Sequence, residues 1–238
     1  MDFTGKVVLI TGGGRGIGRA AALGFARHGA DLSLAARTAA DLESVATEVR
    51  ALGRRVVAIP TDTTRREQVT AWVATTVAEL GRIDVVVNAA GIGILKPFSD
   101  LTEDDLDRML AVNVRGVFSV TQVAAAEMAK TGGGIVVNIP GILGRAAMMQ
   151  AAGYCASKFA VTGMTRAMAL DLKRSGIRFT LLHLGGVDSP FWDNIAMRVQ
   201  RDKMLSVEDA ANTILFAASQ TGNGVLNELV LQPESHQM

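Results

Sequence analysis

Val7-Val8-Leu9-Ile10 runs straight into Thr11-Gly12-Gly13-Gly14-Arg15-Gly16-Ile17-Gly18, and the reading of this stretch decides the fold. Four aliphatic residues in succession predict a strand buried on both faces. A helical stretch from Arg19 to about His28 follows. Glycines at a strand-to-helix turn let the backbone approach a pyrophosphate, whose charge meets the helix N-terminus. The spacing, G-x-x-x-G-x-G, is wider than the commoner dinucleotide fingerprint. Glycines also serve plain turns. What favours a phosphate site is the place of this turn, after the first strand of an alternating chain.

Similar aliphatic runs recur at residues 32–36, 56–59, 85–88, 135–139, 179–184 and 229–231. Between them, apolar residues fall three and four apart, as at Val45, Val49 and Leu52, or Val69, Trp72, Val73 and Val77. Alternating βα units predict one doubly wound α/β domain over residues 1–238, a parallel sheet of about seven strands flanked by helices. No linker, low-complexity tract or long repeat divides the chain.

Composition narrows the function. At 49% apolar and 20% charged, the 238 residues are ordinary for a globular protein. Aromatic residues are few, so Val, Ile, Leu and Ala must build the core. The net charge of +1 gives no field to attract a polyanion, and no nucleic-acid partner is expected. Arg50, Arg54, Arg55, Arg65 and Arg66 read as a solvated surface. The single cysteine, Cys155, excludes an intrachain disulfide and a cysteine framework for zinc. His28, His183 and His236 lack metal-ligand spacing, so no metal is expected. No apolar run reaches the roughly 18 residues of a membrane span, and Met1-Asp2-Phe3 lacks the basic lead of a signal peptide. A cytoplasmic protein with no membrane partner is the expectation.

The end of the second strand selects the dinucleotide. An NAD site usually places an acid there, roughly 20 residues past the first glycines, to bind the ribose hydroxyls. Asp31 is the only acid nearby and stands at the wrong end of the strand. The C-terminal end reads Ala35-Ala36-Arg37. Arg37 and Arg15 can together grip a 2′-phosphate through charge-assisted hydrogen bonds; the alternative is two plain exposed arginines. NADP(H) is the expected cofactor.

Tyr154, the only tyrosine, precedes Lys158 by four residues in Tyr154-Cys155-Ala156-Ser157-Lys158. On a helix this spacing puts both side chains on one face. An ammonium beside a phenol favours the phenolate and pulls its pKa down from about 10. Such a tyrosine can protonate a carbonyl oxygen, or deprotonate an alcohol, near neutral pH.

Taken together, these motifs resemble the short-chain dehydrogenase/reductase family over nearly the whole chain. Residues 11–18 are similar to its cofactor loop. Asn88-Ala89-Ala90-Gly91 resembles its N-N-A-G element, Tyr154 and Lys158 its catalytic pair, and Asn113 the helix asparagine that holds a water in the proton relay. Gly185-Gly186-Val187-Asp188-Ser189 resembles its P-G-x-V-x-T segment over the nicotinamide, with Leu184 for proline and Ser189 for threonine. The resemblance implies a Rossmann-type fold, with Tyr154, Lys158 and Asn113 catalytic. It implies cofactor contacts from Gly12, Gly14, Arg15, Gly16, Ile17, Gly18, Arg37, Asp62, Asn88, Ala89, Ala90, Gly91, Tyr154, Lys158, Gly185, Val187 and Ser189. It also implies a homodimer or homotetramer, built on two long helices at residues 104–130 and 154–173.

One departure stands out. The family carries a catalytic serine 13 residues before the tyrosine, whereas this chain has Asn138-Ile139-Pro140-Gly141 and no Ser or Thr from 139 to 153. Losing one such donor costs about 10²–10³ in rate, or roughly 3–4 kcal/mol. Gly141 also leaves room for a bulkier substrate group, and a serine restored at 141 would supply the missing hydroxyl, unless Gly141 stands at φ > 0, where serine is strained. A substrate lid is expected at about 190–206, over a wall of Ile94, Leu143, Met148, Met149, Phe191 and Trp192 that suits an apolar carbonyl or alcohol substrate. Arg145 is a candidate for holding an acidic group or a surface charge, and His183 is read as a satisfied core histidine. The leading reading is an NADP(H)-dependent oxidoreductase that passes a hydride between nicotinamide and a carbonyl or alcohol. The rival is an NADP(H)-binding sensor or interaction partner with little or no catalysis, which Gly141 favours.

Overall fold

Successive aliphatic residues form strands whose side chains alternate between two helix-covered faces. The computed structural model describes residues 1–236. Its strands are β1 (Val7–Thr11), β2 (Asp31–Ala36), β3 (Val56–Pro60), β4 (Val85–Asn88), β5 (Gly134–Asn138), β6 (Ile177–Leu184) and β7 (Glu228–Leu231). They make one parallel sheet in the order β3-β2-β1-β4-β5-β6-β7. The helices are α1 (Gly16–Arg27), α2 (Ala39–Ala51), α3 (Arg66–Leu80), α4 (Glu103–Leu110), α5 (Val117–Lys130), α6 (Ala152–Asp171) and α7 (Val207–Ala218). This is the doubly wound, Rossmann-type architecture expected from the alternation.

Each strand feeds two cores. In β1, Val8 and Ile10 join the layer under α1, α2 and α7, while Leu9 joins the layer under α3 and α5. Trp72, fully buried on α3, anchors the second layer with Val69 and Val73. Leu52, expected on the buried stripe of α2, is half exposed just past the end of that helix.

The chain winds outward from β1 to β3, then returns to lay β4 on the other side of β1. Crossovers therefore diverge above the C-terminal ends of β1 and β4 and leave a crevice there, where ligands of such sheets bind.

Two expectations change. The helix expected at 104–130 is continuous in space but carries a π-helical turn, Ala111–Gly116, between α4 and α5. Such turns cluster at functional sites because they re-aim a few side chains without breaking the helix. Glu103–Lys130 is also long and apolar enough to cross a membrane by length and composition, which the residue runs did not suggest; half of its apolar window is buried inside the fold.

At the opposite end of the sheet, carboxylates tie strand starts to neighbouring loops. Asp84 accepts from Lys6, Arg82 and the Val7 amide. Asp31 accepts from Arg54 at 3.0 Å, from Arg55 Nε at 2.8 Å and from the Arg55 amide at 3.0 Å. With Arg50 held by Glu43, three of the five arginines noted in the sequence are engaged within the fold.

Burial by itself would raise the Asp31 pKa, but the Arg55 amide and the two guanidinium groups outweigh it and hold the carboxyl below its ordinary value. A carboxyl lowered by folding adds stability above its unfolded pKa, and that contribution fades as pH falls through the folded value. Asp31→Asn is expected to cost about 1–2 kcal/mol at pH 7, a modest figure because Arg55 is largely in solvent. Urea denaturation at pH 7 and at pH 3 checks this: the gap between variant and wild type narrows in acid, and an unchanged gap contradicts it.

Candidate active site

The glycine turn and the loop after β4 are locked together over the crevice. Gly12, at φ 68°, lies so close to Ala90 that a Cβ would come within 3.0 Å of its amide nitrogen. The Ala90 amide donates to Thr11 Oγ1 at 3.1 Å. Gly18 abuts the Gly12 carbonyl, leaving no room for any side chain. Helix α1 then starts with no side-chain cap, so its first amides are free to meet an anion. Gly16 faces Ser189 and Pro190, whose nearest atoms stand 3.6 Å from where its Cβ would be, so the turn meets the segment 185–189. These features fit a nicotinamide dinucleotide, its pyrophosphate over the turn.

The remaining cofactor candidates fall around this cradle. Arg15 and Arg37 are exposed and have no ion-pair partner among the described residues. Asp62 stands close enough to Arg37 to feel its charge. Burial raises the Asp62 pKa, but hydrogen bonds from Thr64 and the charges of Arg37 and Arg65 bring it below normal. Ile17 and Ala89 pack on the core, Gly14 lies against Asp41, and Gly185 against Pro233. Val187 bridges to Leu205, and Ser189 is buried. Asn88 spends its Nδ2 inside the fold, donating to Thr121 and to Asn138 Oδ1 at 2.8 Å.

Tyr154 and Lys158 share one face of α6, with the Lys158 Nζ 5.5 Å from the Tyr154 ring centre. Lys158 is buried and donates to the Ile139 carbonyl at 3.0 Å. Gly91 borders the pair: its Cβ would stand 3.6 Å from Nζ and 3.3 Å from Asn113 Oδ1. Burial governs both groups. It pulls the Lys158 pKa down to about 8 and pushes the Tyr154 phenol up. The Tyr154 shift therefore runs opposite to the lowering expected from its neighbour, with loss of water as its main cause.

Asn113 lies in the π turn, and its side chain is saturated. Oδ1 accepts from the Ile92 amide at 2.9 Å, while Nδ2 donates to the Ile92 carbonyl and to Ser157 Oγ, both at 2.9 Å. Ser157 in turn donates to the Tyr154 carbonyl. The amide thus clamps the loop after β4 to α6.

On the substrate side, Gly141 sits at φ 69°, ψ −178°. That region is essentially closed to residues with a side chain. A serine at 141 would have space but not the backbone, so simple restoration of a hydroxyl is excluded by conformation. Met149, 86% exposed, stands in solvent rather than in the pocket wall, and Met148 is at the margin. Arg145 is exposed, and its charge acts on His183 and Glu228. Phe191 and Trp192 stand at the start of the segment 190–206, with Phe191 5.7 Å from the Tyr154 ring and 5.2 Å from Trp192.

Sequence reasoning missed four contributors. Gly93 is where Phe191 closes, since a Cβ there would collide with the ring. Arg201 clasps the segment 188–193 through Asp188, Asp193 and the Ser189 carbonyl. Asn138 extends the buried amide chain to Thr165, and His183 bonds to Gly141. Only Asn138 carried a signal, as an amide closing a strand beside Asn88. A separate concavity of about 760 Å³ lies at the other end of the sheet, around Lys6, Asp84 and Gly176, far from these groups.

Comparisons with known proteins agree with this geometry. The profile of the short chain dehydrogenase family matches residues 6–200. The sepiapterin reductase of Chlorobaculum tepidum is 36% identical over 96% of each chain. The 3-oxoacyl-(acyl-carrier-protein) reductase of Thermotoga maritima is 32% identical over 97% of each. Among solved structures, the alcohol dehydrogenase of Thermococcus sibiricus, complexed with 5-hydroxy-NADP, superposes with a TM-score of 0.90 at 27% identity over 98% of each chain. The glycine cradle, the Tyr154–Lys158 face and these relatives converge: the chain belongs to the short-chain dehydrogenase/reductase family of oxidoreductases.

Proposed function

We propose that this chain is an NADP(H)-dependent reductase of an apolar carbonyl compound. The observation that carries the reading is the half-buried Tyr154 with the buried Lys158 beside Gly91, at the mouth of the crevice between β1 and β4. The cofactor, when bound, supplies the hydride. Tyr154 Oη supplies the proton to the carbonyl oxygen, and burial that keeps the phenol protonated suits it to that acid role. Lys158 remains charged below about pH 8, so its ammonium stands ready to stabilise the phenolate left after transfer. Phe191 and Trp192 form an apolar, water-excluding cover.

The choice of NADP(H) rests on Arg15, Arg37 and the lack of an acid at the end of β2. The fold alone does not select it: the 3-ketoacyl-(acyl-carrier-protein) reductase of Brucella melitensis, complexed with NADH, superposes almost as well, at a TM-score of 0.89 and 28% identity over 97% of this chain and 98% of that one. The rival reading, a binding protein with little catalysis, finds no support in relatives named as reductases and keeps only the argument from Gly141. On the same reading, α5 and α6 pair with copies of themselves in a dimer or tetramer, covering the half-exposed Phe118 and Phe159.

Fluorescence titration tests the cofactor: NADPH binds more tightly than NADH, and Arg37→Ala weakens NADPH alone by about 1.5–3 kcal/mol. Equal affinities in the wild type contradict it.

Tyr154→Phe tests the chemistry across a panel of ketones and aldehydes. Turnover falls by at least about 10²-fold while NADPH affinity is retained. Undiminished turnover in that variant overturns the reading.

A further inference from the structure

His183 is fully buried on β6, and its one hydrogen bond goes from Nδ1 to the Gly141 carbonyl at 3.0 Å. A carbonyl only accepts, so Nδ1 carries the proton, and in the neutral ring Nε2 is a bare lone pair. This accounts for the far side of the ring. Nε2 has no hydrogen-bond partner among the described residues and stands 3.7 Å from Glu228 Oε2, the carboxylate being held through its other oxygen, Oε1, by Arg166 at 2.6 Å. Two acceptors face each other and keep apart. Burial, with Arg145 and Arg166 nearby, keeps the ring pKa below its ordinary value despite Gly141 and Glu228.

The bond falls on an unusual backbone. Gly141 is pinned three times: its amide donates to the Leu182 carbonyl at 3.3 Å, and its carbonyl accepts from the Gly144 amide at 3.1 Å and from His183. The same turn holds Lys158 through the Ile139 carbonyl, two residues earlier. It is tied to α6 again by Thr162 Oγ1, which donates to the Gly144 carbonyl at 3.1 Å. His183 is the one side chain that fixes this turn from β6.

We infer that His183 is a positioning residue of the active site: by donating Nδ1–H to Gly141 it sets the turn at 139–144, and through the Ile139 carbonyl the place of Lys158. The inference rests on the proposed reductase activity for its kinetic consequence, though not for its structural one. The hydrogen bond also explains a histidine near the end of an aliphatic strand, where Leu182 and Leu184 flank it.

The shapes of two amides allow a stringent test. An asparagine amide reaches roughly where Nδ1 stands, a glutamine amide where Nε2 stands, and leucine donates nothing. In enzyme that melts cooperatively and binds NADPH like wild type, His183→Asn retains most of kcat. His183→Leu and His183→Gln lose about ten- to a hundredfold in kcat, with the cofactor KM unchanged. The alkaline limb of the pH–rate profile shifts in these two, because Lys158 loses its fixed carbonyl. A folded His183→Leu with wild-type kcat and pH profile overturns the inference, as does an Asn variant no better than Leu. If the wild type turns over no carbonyl compound, the reductase reading fails, and ring ¹⁵N shifts still decide: Nδ1 protonated with Nε2 bare supports the inference, and the opposite tautomer overturns it.

Discussion

Lys158 brings a charge into the protein, and the site is arranged around that cost. Its ammonium rests on one carbonyl, that of Ile139, beside the Tyr154 ring and under the loop that ends in Gly91. A buried charge demands fixed partners, so the turn after β5 must be rigid. It is held by His183 from β6 and by Thr162 from α6. The loop after β4 must be equally fixed, which Asn113 accomplishes from the π turn. Rigid polar anchors around a desolvated pair are what acid–base chemistry in a closed cleft requires.

The same logic separates the two ends of the sheet. At the N-terminal ends, Asp31 and Asp84 draw arginines and Lys6 into ion pairs that fasten loops to strands. At the C-terminal ends, Arg15 and Arg37 are left unpaired among the described residues, and α1 starts without a side-chain cap. Structural charges are satisfied internally. Those at the crevice are available to a ligand.

Much of the fold was legible in the residues. Strands buried on both faces show as unbroken aliphatic runs, so β4 is found to the residue and the others within two. The glycine turn and the Tyr154–Lys158 spacing are local patterns, and locality made them readable. What escaped depends on partners distant in sequence. Asn88 reads as a cofactor contact and Asn113 as the holder of a relay water, but the partners of their amides, Asn138, Ile92 and Ser157, come together only in the fold. Gly93 meets Phe191 and Arg201 reaches Asp188 only after folding. The Tyr154 shift runs opposite to the expected one for a related reason: sequence spacing reveals the charge next door but not the loss of water around the ring. Gly141 reads in the sequence either as a missing side chain or as a positive-φ glycine, and its φ and ψ select the second.

The central claim is that burial keeps Tyr154 a protonated acid, with Lys158 in place to receive the phenolate. Because Tyr154 is the chain's single tyrosine, the ultraviolet absorbance of tyrosinate reports it alone. Titrating the folded protein with base measures the claim directly. Ionisation well above the ordinary value of about 10, moving higher still in Lys158→Met, is the predicted result. A phenol that ionises at or below about 10 in the folded protein, whether or not Lys158 is present, would contradict it.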